Sequence, residues 1–595
     1  MKKLVIGISA LALGLALLAG CSAEQPATVT GETAAGNGAV EKAPAVSLDD
    51  AGLTDNKLLY ANSDPTSVRT FYLTVSRGNS GESSDHSWAE VNTYSVYDYE
   101  RMNVDRYKVE AILQEGDENG PREGAFGYGL TTPNATVQIR GQTSSQYAQK
   151  NYKLSLKENA GDIDGQKMIA LNKHWGDSLR IRNKLMFDLM AEVPDMMSLR
   201  TQFVHLYVRD TTAVATGESA GAAFVDYGLY TWVEQLNKTA LRAHGADRNG
   251  QLYKINSCEF YRYEDSIKLK TDPTYDQTAF EQRLEIKGSD DHSKLIAMLE
   301  AVNDYAIPIE EVCEQYFDMD NMLTWMAFHI LTGNIDTQNR NVYIYSPQNG
   351  SKWYFWSWDN DGALDRKTSE LWKNVTEYGW ETGISNYWGN ILFCRVLKSE
   401  DYRAMLEDKI EELYAGTLAP AHVQTLAEKY AAVTTPYLYQ MPDQEYAVLT
   451  REQHDIVLEE TGEEIEKNYD AYQNSLELPM PFYIGVPVKT DTGYQCEWDA
   501  SFDLQARDIT YTAELSDSMA FDNLLAAYTG PLLTLQMPAL PPGQYFIRVV
   551  ATNSAGKSQP AFDQYITTGS LSVNGTKCFY VLEDGSVKED VYAEG

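Results

Sequence analysis

Cysteine is scarce and scattered in this 595-residue chain: six in all, with no Cys-x-x-Cys pair. That usage signals neither a zinc site nor a disulfide framework. Positive charge is also in deficit, with 49 Lys and Arg against 85 Asp and Glu, a net charge of −36. Such a chain repels nucleic acid and anionic lipid headgroups, which excludes a nucleic-acid function. A polyphosphate ligand would have to arrive with metal. The eight His form no His-Glu-x-x-His pair, so the metalloprotease pattern is missing. After the N-terminal stretch, no apolar run approaches the ~20 residues that a membrane-spanning helix needs.

What is present begins at the N-terminus. Lys2 and Lys3 precede an apolar stretch, Leu4 to Leu17, and Leu18-Ala19-Gly20-Cys21 reads as a lipobox. Residues 1–20 are expected to be a lipoprotein signal peptide, with Cys21 lipidated after cleavage. The mature protein would then be extracytoplasmic and lipid-anchored to a bacterial membrane. Losing Lys2 and Lys3 takes the charge from −36 to about −38. Cys258, Cys313, Cys394, Cys496 and Cys578 remain, and no disulfide pairing can be read from them. Residues 21–57 are rich in Ala, Gly, Thr, Glu and Pro and nearly free of aromatics, the composition of a flexible tether.

Two carboxylate motifs lie close together in the middle of the chain. Asp336-Thr337-Gln338-Asn339-Arg340-Asn341 places an Asn five positions after an Asp, just past the apolar helical pattern Met322 to Leu331. Trp358-Asp359-Asn360-Asp361 follows a short apolar strand, Trp353 to Trp356. Phosphoryl-transfer enzymes of the kinase type use this spacing. One Asp accepts the proton of the attacking hydroxyl, while the loop Asn and the next Asp hold the magnesium. Asp and Asn are also common in turns, where they bond to their own backbone, so Asp-x-x-x-x-Asn alone is weak. The Trp-Asp-x-Asp strand end adds weight.

The surrounding pattern is α+β. Alternating stretches at Thr70–Val75, Tyr107–Ile112 and Thr136–Ile139 read as strands. Asp177-Ser178 reads as a helix start, and strands follow at Phe203–Val208 and Tyr227–Val233. Beyond Asp290 the period is helical over 293–302, 319–331, 391–415 and 421–432. A β-rich half thus precedes an α-rich half across 58–475, the order of a bilobal protein-kinase-like fold with its ligand between lobes. A small all-β sandwich is expected over 480–568, with a tail from 569 to 595. In it, Trp498 would be a core residue, and Leu540 to Ser558 resembles the last two strands of a fibronectin type III domain.

Residues from about 60 to 475 resemble the spore-coat CotH family of atypical kinases. The matching stretches are Ile139 to Ser145 with Lys150 to Leu154, Leu179 to Leu185, Gly228 to Gln235, Leu252-Tyr253-Lys254, Asn334-Ile335-Asp336 with Asn341, and Trp358 to Asp361. The resemblance implies kinase activity with ATP and Mg2+ or Mn2+. It makes Asp336 the candidate base, and Asn341, Asp359 and Asp361 the candidate metal ligands. Lys150 is the first choice for the phosphate-pairing lysine; Lys153 is the second, on the polar face of its strand with Asn151 and Ser155. The turn at Gly141 to Ser145 offers N–H groups and the Ser144 and Ser145 hydroxyls to phosphate, with Arg140 beside it. It lacks the several glycines of ordinary kinase loops. Glu234, ending an apolar strand, stands where a hinge would meet adenine. Arg182 and Asn183 match the family pattern without an assigned role.

Three motifs are decoys. Gly217-x-Ser219-x-Gly221 lacks the abutting strand and helix of a hydrolase elbow and reads as a hairpin loop. Ala555-Gly556-Lys557-Ser558 has Ala551 where a P-loop needs its first Gly. Asp359-Asn360-Asp361-Gly362 has Ser357 and Thr368 at the end positions of a calcium loop. The sequence therefore reads as a lipid-anchored kinase acting on a hydroxyl of a secreted or cell-surface protein, with cell-wall or protein contact through the sandwich. The alternative is a non-catalytic surface-binding or adhesion lipoprotein of kinase-like shape.

Overall fold

The computed structural model describes residues 52–61, 63–212, 223–364, 380–566 and 572–590. The chain is a mixed α+β protein. Its first strands are β1 (Val68–Ser76), β2 (Lys108–Asp117), β3 (Gly120–Pro121), β4 (Ala135–Arg140), β5 (Asn151–Leu156), β6 (Met168–Asn172), β7 (Thr201–Asp210) and β8 (Val225–Glu234). They run in the order β1-β7-β8-β6-β5-β4-β2-β3, and β1 also pairs with β2. The sheet therefore closes on itself as a barrel, with β3 hanging from β2. β1 is antiparallel to β2 but parallel to β7.

Period-two alternation decides what faces in. On β4, Ala135, Val137 and Ile139 are buried while Thr136, Gln138 and Arg140 are half-buried. On β5, Tyr152, Leu154 and Leu156 point inward and Lys153 and Ser155 outward. Phe71, Leu73, Val109, Ile169, Leu206 and Trp232 fill the barrel with them. The polar outer face of β4 and β5 is one wall of the site.

The other wall comes from a second sheet, β9 (Gln251–Ile255), β10 (Leu284–Ile286), β11 (Val342–Ser346) and β12 (Tyr354–Ser357), ordered β10-β9-β11-β12. It packs on the Met319–Leu331 helix, which is buried from Asn321 to Leu331. Such a helix is hydrophobic all round because it is the core's axis. The helix expected from Asp177 begins instead at Arg182. Arg180 takes a left-handed φ of 55°, and the Asp177 carboxylate accepts from the N–H groups of Leu179 (3.0 Å) and Arg182 (2.7 Å). The helical run expected over 391–415 is two helices, Ile391–Lys398 and Glu400–Ala415.

A buried ionic latch ties the barrel to the helical part. Asp443, opening the short helical turn Asp443–Tyr446 that follows the Pro420–Leu438 helix, accepts from Lys173 Nζ (2.6 Å), Gln149 Nε2 (2.8 Å) and Arg180 Nη1 (3.1 Å) through one oxygen. Its other oxygen accepts from the Leu229 N–H at 2.9 Å. Gly228 makes room: a Cβ there would fall 2.1 Å from Asp443 Oδ2, and its φ is 73°.

The tether expected over 21–57 ends earlier than that. Lys57 Nζ donates to the Val193 and Met196 carbonyls at 2.9 and 3.0 Å. Asp55 accepts from His244 Nδ1 at 2.7 Å inside the core. Cys21 and the Gly217-x-Ser219-x-Gly221 motif lie outside the described residues. No helix among the described residues is long and apolar enough to cross a membrane. The thiols from Cys258 to Cys578 are all free.

The C-terminal part is all β. Val488–Thr490, Gly493–Glu497 and Thr534–Met537 form one sheet; Leu524–Gly530, Ile509–Ser516, Gly543–Asn553, Thr576–Val581 and Val587–Asp590 form another, in that spatial order. Trp498, Tyr511, Leu535, Ile547 and Phe579 share a hydrophobic cluster between them. Two expectations change here. Residues 569–595 are not simply a tail: Thr576–Val581 pairs with Gly543–Asn553 in register Phe546↔Cys578, and both its faces are covered, Phe579 in the sandwich cluster and Cys578 in a small cluster with Phe546 and Tyr565. Nor is the module's boundary clean, since Met480 and Phe562 belong to the main core.

Candidate functional site

The two carboxylate motifs meet through backbone geometry. β11 and β12 pair antiparallel, and the Trp358 N–H donates to the Asn341 carbonyl at 3.0 Å. Asn341 and Asp359 both take left-handed φ values, 55° and 54°, at the ends of these adjacent strands. Asn and Asp tolerate that conformation better than most side chains. The Asp336 loop is joined to the Asp359 turn by Asn334 Nδ2, which donates to Asn360 Oδ1 at 3.2 Å. Asn360 N–H in turn donates to Asn183 Oδ1 at 3.0 Å. Asn183 Nδ2 lies 3.2 Å from His174 Nε2, and His174 Nδ1 lies 3.4 Å from Asp361 Oδ2. Asn183, unassigned in the sequence, is thus the residue that braces both motifs against the barrel side.

Asp336 is exposed in the short helical turn Ile335–Thr337, with no hydrogen-bond partner among the described residues. Its neighbours are held tightly. Asn386 Nδ2 donates to the Ile335 carbonyl (3.2 Å), Asn390 Nδ2 to the Gln338 carbonyl (2.8 Å), and Thr337 Oγ1 lies 3.0 Å from Tyr387 Oη. A free carboxylate on a fixed loop is what a positioned base requires.

Asp359 keeps an exposed surface, yet protein surrounds it so closely that lost hydration is the main force on its charge. That burial, with the Asp361 charge beside it, pushes its carboxyl up to about 6. Burial acts on Asp361 too, but the His174 hydrogen bond and charge outweigh it and hold Asp361 below the usual carboxylate range. Two neighbouring carboxylates, Asp359 and Asp361, supply oxygen donors of the kind a hard divalent cation takes. No group of three or more His, Cys, Asp or Glu capable of holding a metal occurs among the described residues. A cation here would keep further positions for water or substrate oxygens, as magnesium usually does.

Cations face this acidic floor, in a chain whose net charge is −36. Burial lowers the Lys153 ammonium, and Lys287, Arg106, Arg140 and Lys108 lower it further. Burial likewise lowers Arg140 and Lys254, each against the pull of Asp359. Arg140 also rests on the Trp358 ring at 5.6 Å and donates to Asn172 Oδ1. Arg140 from the barrel and Lys254 from the second sheet thus act directly on Asp359, and Lys153 stands among further cations beside Arg140. Lys254, His174, Arg106 and Lys287 went unassigned in the sequence. Lys254 lay in a matched stretch, but only strand pairing brings it opposite Tyr343 and into reach of Asp359.

Three residues expected at the site are used elsewhere. Lys150 is buried and donates to the Ser145 carbonyl at 2.6 Å; the carboxylate acting on it is Asp98, not Asp359. The second-choice Lys153 lies instead beside Arg140, which itself feels the Asp359 charge. Ser145 is fully buried, its hydroxyl donating to the Gln142 carbonyl (2.6 Å) and accepting from the Val96 N–H (3.0 Å). Glu234, 1% exposed, is paired with Arg200 (2.6 Å) and His244 (2.9 Å) and presents no carboxylate to a ligand. Ser144 Oγ accepts from Asn151 Nδ2 at 3.0 Å, and a Cβ on Gly141 (φ 91°) would lie 2.0 Å from it, so the turn needs glycine there.

Comparison with known proteins follows this geometry. The family model described as CotH kinase protein matches residues 137–478. No curated protein matches the chain. Among solved structures, a chain of the Shewanella oneidensis MR-1 toxin–antitoxin HipA, HipB and operator DNA complex is 10% identical, with a TM-score of 0.20. That match covers 55% of this chain and 58% of the other, so the chain spans less than two thirds of it. The twitchin kinase region from C. elegans is 12% identical over 69% of this chain and 71% of that one, with a TM-score of 0.16. Scores this low carry no argument. The family match does, since it takes in the barrel from β4 onward, the latch, both carboxylate motifs and the helices behind them: the chain belongs to the CotH kinase family.

Proposed function

We propose that this protein is a lipid-anchored, extracytoplasmic kinase of bilobal, protein-kinase-like architecture that moves the terminal phosphoryl group of ATP to a hydroxyl on a secreted or surface protein. The observation that carries the reading is the meeting of Arg140 and Lys254, with Lys153 beside Arg140, at the Asp359–Asp361 pair in a strongly acidic chain. Membership of a kinase family implies a nucleotide and a divalent metal in general terms. Asn341, Asp359 and Asp361 would hold the metal, which when bound neutralises phosphate charge. Arg140, Lys153 and Lys254 would cradle the phosphates. Asp336 would take the proton of the acceptor hydroxyl as it attacks. Positioning and electrostatics carry such a reaction, with little covalent work for the protein. The C-terminal sheets, with Trp498 in their shared cluster, support the fibronectin-like reading of that module.

Calorimetric titration of a soluble form lacking the first 21 residues with Mg–ATP and Mn–ATP tests the proposal. Saturable binding that needs the metal is expected. A wild type that binds nucleotide with neither metal would leave the non-catalytic surface-binding reading in its place.

A further inference from the structure

The C-terminal β module does more than follow the kinase part: its aromatic residues sit on the segment that holds the Asp336 loop. Trp380 Nε1 donates to the Phe562 carbonyl at 3.2 Å, and the two rings meet edge-on at 5.0 Å. Tyr483 packs on Phe562 at 4.8 Å, and Phe502 stacks on Trp388 at 5.6 Å. Gly389 lies directly beneath: a Cβ there would stand 3.2 Å from Tyr483 Oη and 3.4 Å from Phe562 Cζ. The neighbouring residues Asn386, Tyr387 and Asn390 are the ones that bond Ile335, Thr337 and Gln338. Module, segment and loop are therefore consecutive layers of contact, with Asp336 between the tied residues. Asn390 has two jobs. Its amide nitrogen reaches the loop, while its Oδ1 accepts from Leu392 and Phe393 N–H groups at 3.1 and 3.5 Å to cap the next helix.

We infer that the C-terminal β module is a positioning element for Asp336, acting through the Asn386–Asn390 segment. The inference rests on the kinase reading for its catalytic consequence, but its mechanical half stands alone. Asp336 faces the acceptor, whereas the cations and carboxylates of the cleft are held by the barrel, β9, β11 and β12. Loosening the module contact should therefore slow phosphoryl transfer and spare nucleotide affinity.

The test uses the full mature chain with Asn390→Ser, Tyr483→Ala and Tyr483→Phe. Serine keeps the helix cap and loses the reach to Gln338. Tyr483 is half exposed, so its loss perturbs the fold little. Hydrogen exchange of the 332–341 peptide, turnover, Mg–ATP affinity and a thermal melt are read on each. Asn390→Ser and Tyr483→Ala should speed loop exchange and cut turnover by roughly tenfold, with β9 and β11 peptides unchanged and Mg–ATP affinity within about twofold. Tyr483→Phe, which keeps the ring, should behave as wild type. Unchanged loop exchange in well-folded variants overturns the inference. So does a parallel loss of affinity, turnover and melting temperature, which marks a merely structural contact. If the wild type binds no nucleotide, the kinase reading fails, and loop exchange still decides whether the module holds the loop.

Discussion

Asp359 carries an electrostatic cost that its place at the site explains. In the unfolded chain its carboxyl ionises near 4; in the folded protein burial and Asp361 hold it up to about 6. Between those values the unfolded chain releases its proton first, so stability falls as pH rises through the window, and the penalty persists above it. Asp359→Asn should then raise the metal-free melting temperature at pH 7, with the gap closing near pH 4, while abolishing Mg–ATP binding. Wild-type affinity should itself weaken as pH drops from 7 to 5 and the proton competes with the metal. Asp336→Asn should behave differently: affinity is kept and turnover falls by ~10²–10⁴. Calorimetry beside thermal melts separates these outcomes from simple turn-capping, in which both variants lose about 1 kcal/mol and neither changes binding. The two lysines divide likewise. Lys153→Ala should weaken Mg–ATP binding with little change in melting temperature, and Lys150→Ala, which abandons the buried Ser145 carbonyl, should lower the melt and spare binding. That the Asp336–Asn341 and Asp359–Asp361 motifs adjoin was legible, because their spacing is local to one loop and one strand end. Lys254 and His174 were not, because only pairing and packing across the cleft bring them to Asp359 and Asp361.

The elements show where local pattern stops being enough. β1, β2 and β4 follow from alternation, since each buries one face of the barrel. Closure of that barrel does not follow, because the parallel β1–β7 pairing joins strands with most of the barrel's chain between them. The late start of the Arg182–Glu192 helix depends on the Arg180 turn, which in turn depends on Asp443, a residue more than two hundred positions away. Glu234 looked free at a strand end because its partners Arg200 and His244 come from other elements. The Asp443 latch makes a sharp prediction. Lys173 and Arg180 are both buried, so Asp443→Ala leaves them without their shared counter-charge. Breaking such a pair typically costs ~3–5 kcal/mol, which a urea melt would register as a drop in midpoint at constant slope.

At the scale of the whole molecule, composition gave the module order but not how firmly its parts are joined. A cut after about Leu478 looks harmless in sequence, where strands simply replace helices. In the structure Met480 is fully buried, Phe562 joins the main core, and Arg507 and Asn553 bond Glu477. The truncated chain should lose cooperative unfolding, as circular dichroism on heating would report. The anchor proposed at Cys21 is checked separately: Cys21→Ser should accumulate unprocessed precursor, and a variant still found as mature membrane-bound protein would overturn it.

The closed barrel has a consequence for the order in which the chain acquires structure. β1 pairs with both β2 and β7, and β8 must slot between β7 and β6 before the ring is sealed. The barrel therefore cannot finish until residue 234 is available, and it waits on a parallel pairing of high sequence separation, which is slow to form. Lys57 can reach the 193 and 196 carbonyls before that point, but the Asp55 contact with His244 must wait for ten residues more. A chain passed through a membrane from its N-terminus would thus emerge with its first two hundred residues unable to complete a stable domain, and would depend on whatever keeps β1 and β2 from pairing elsewhere in the meantime.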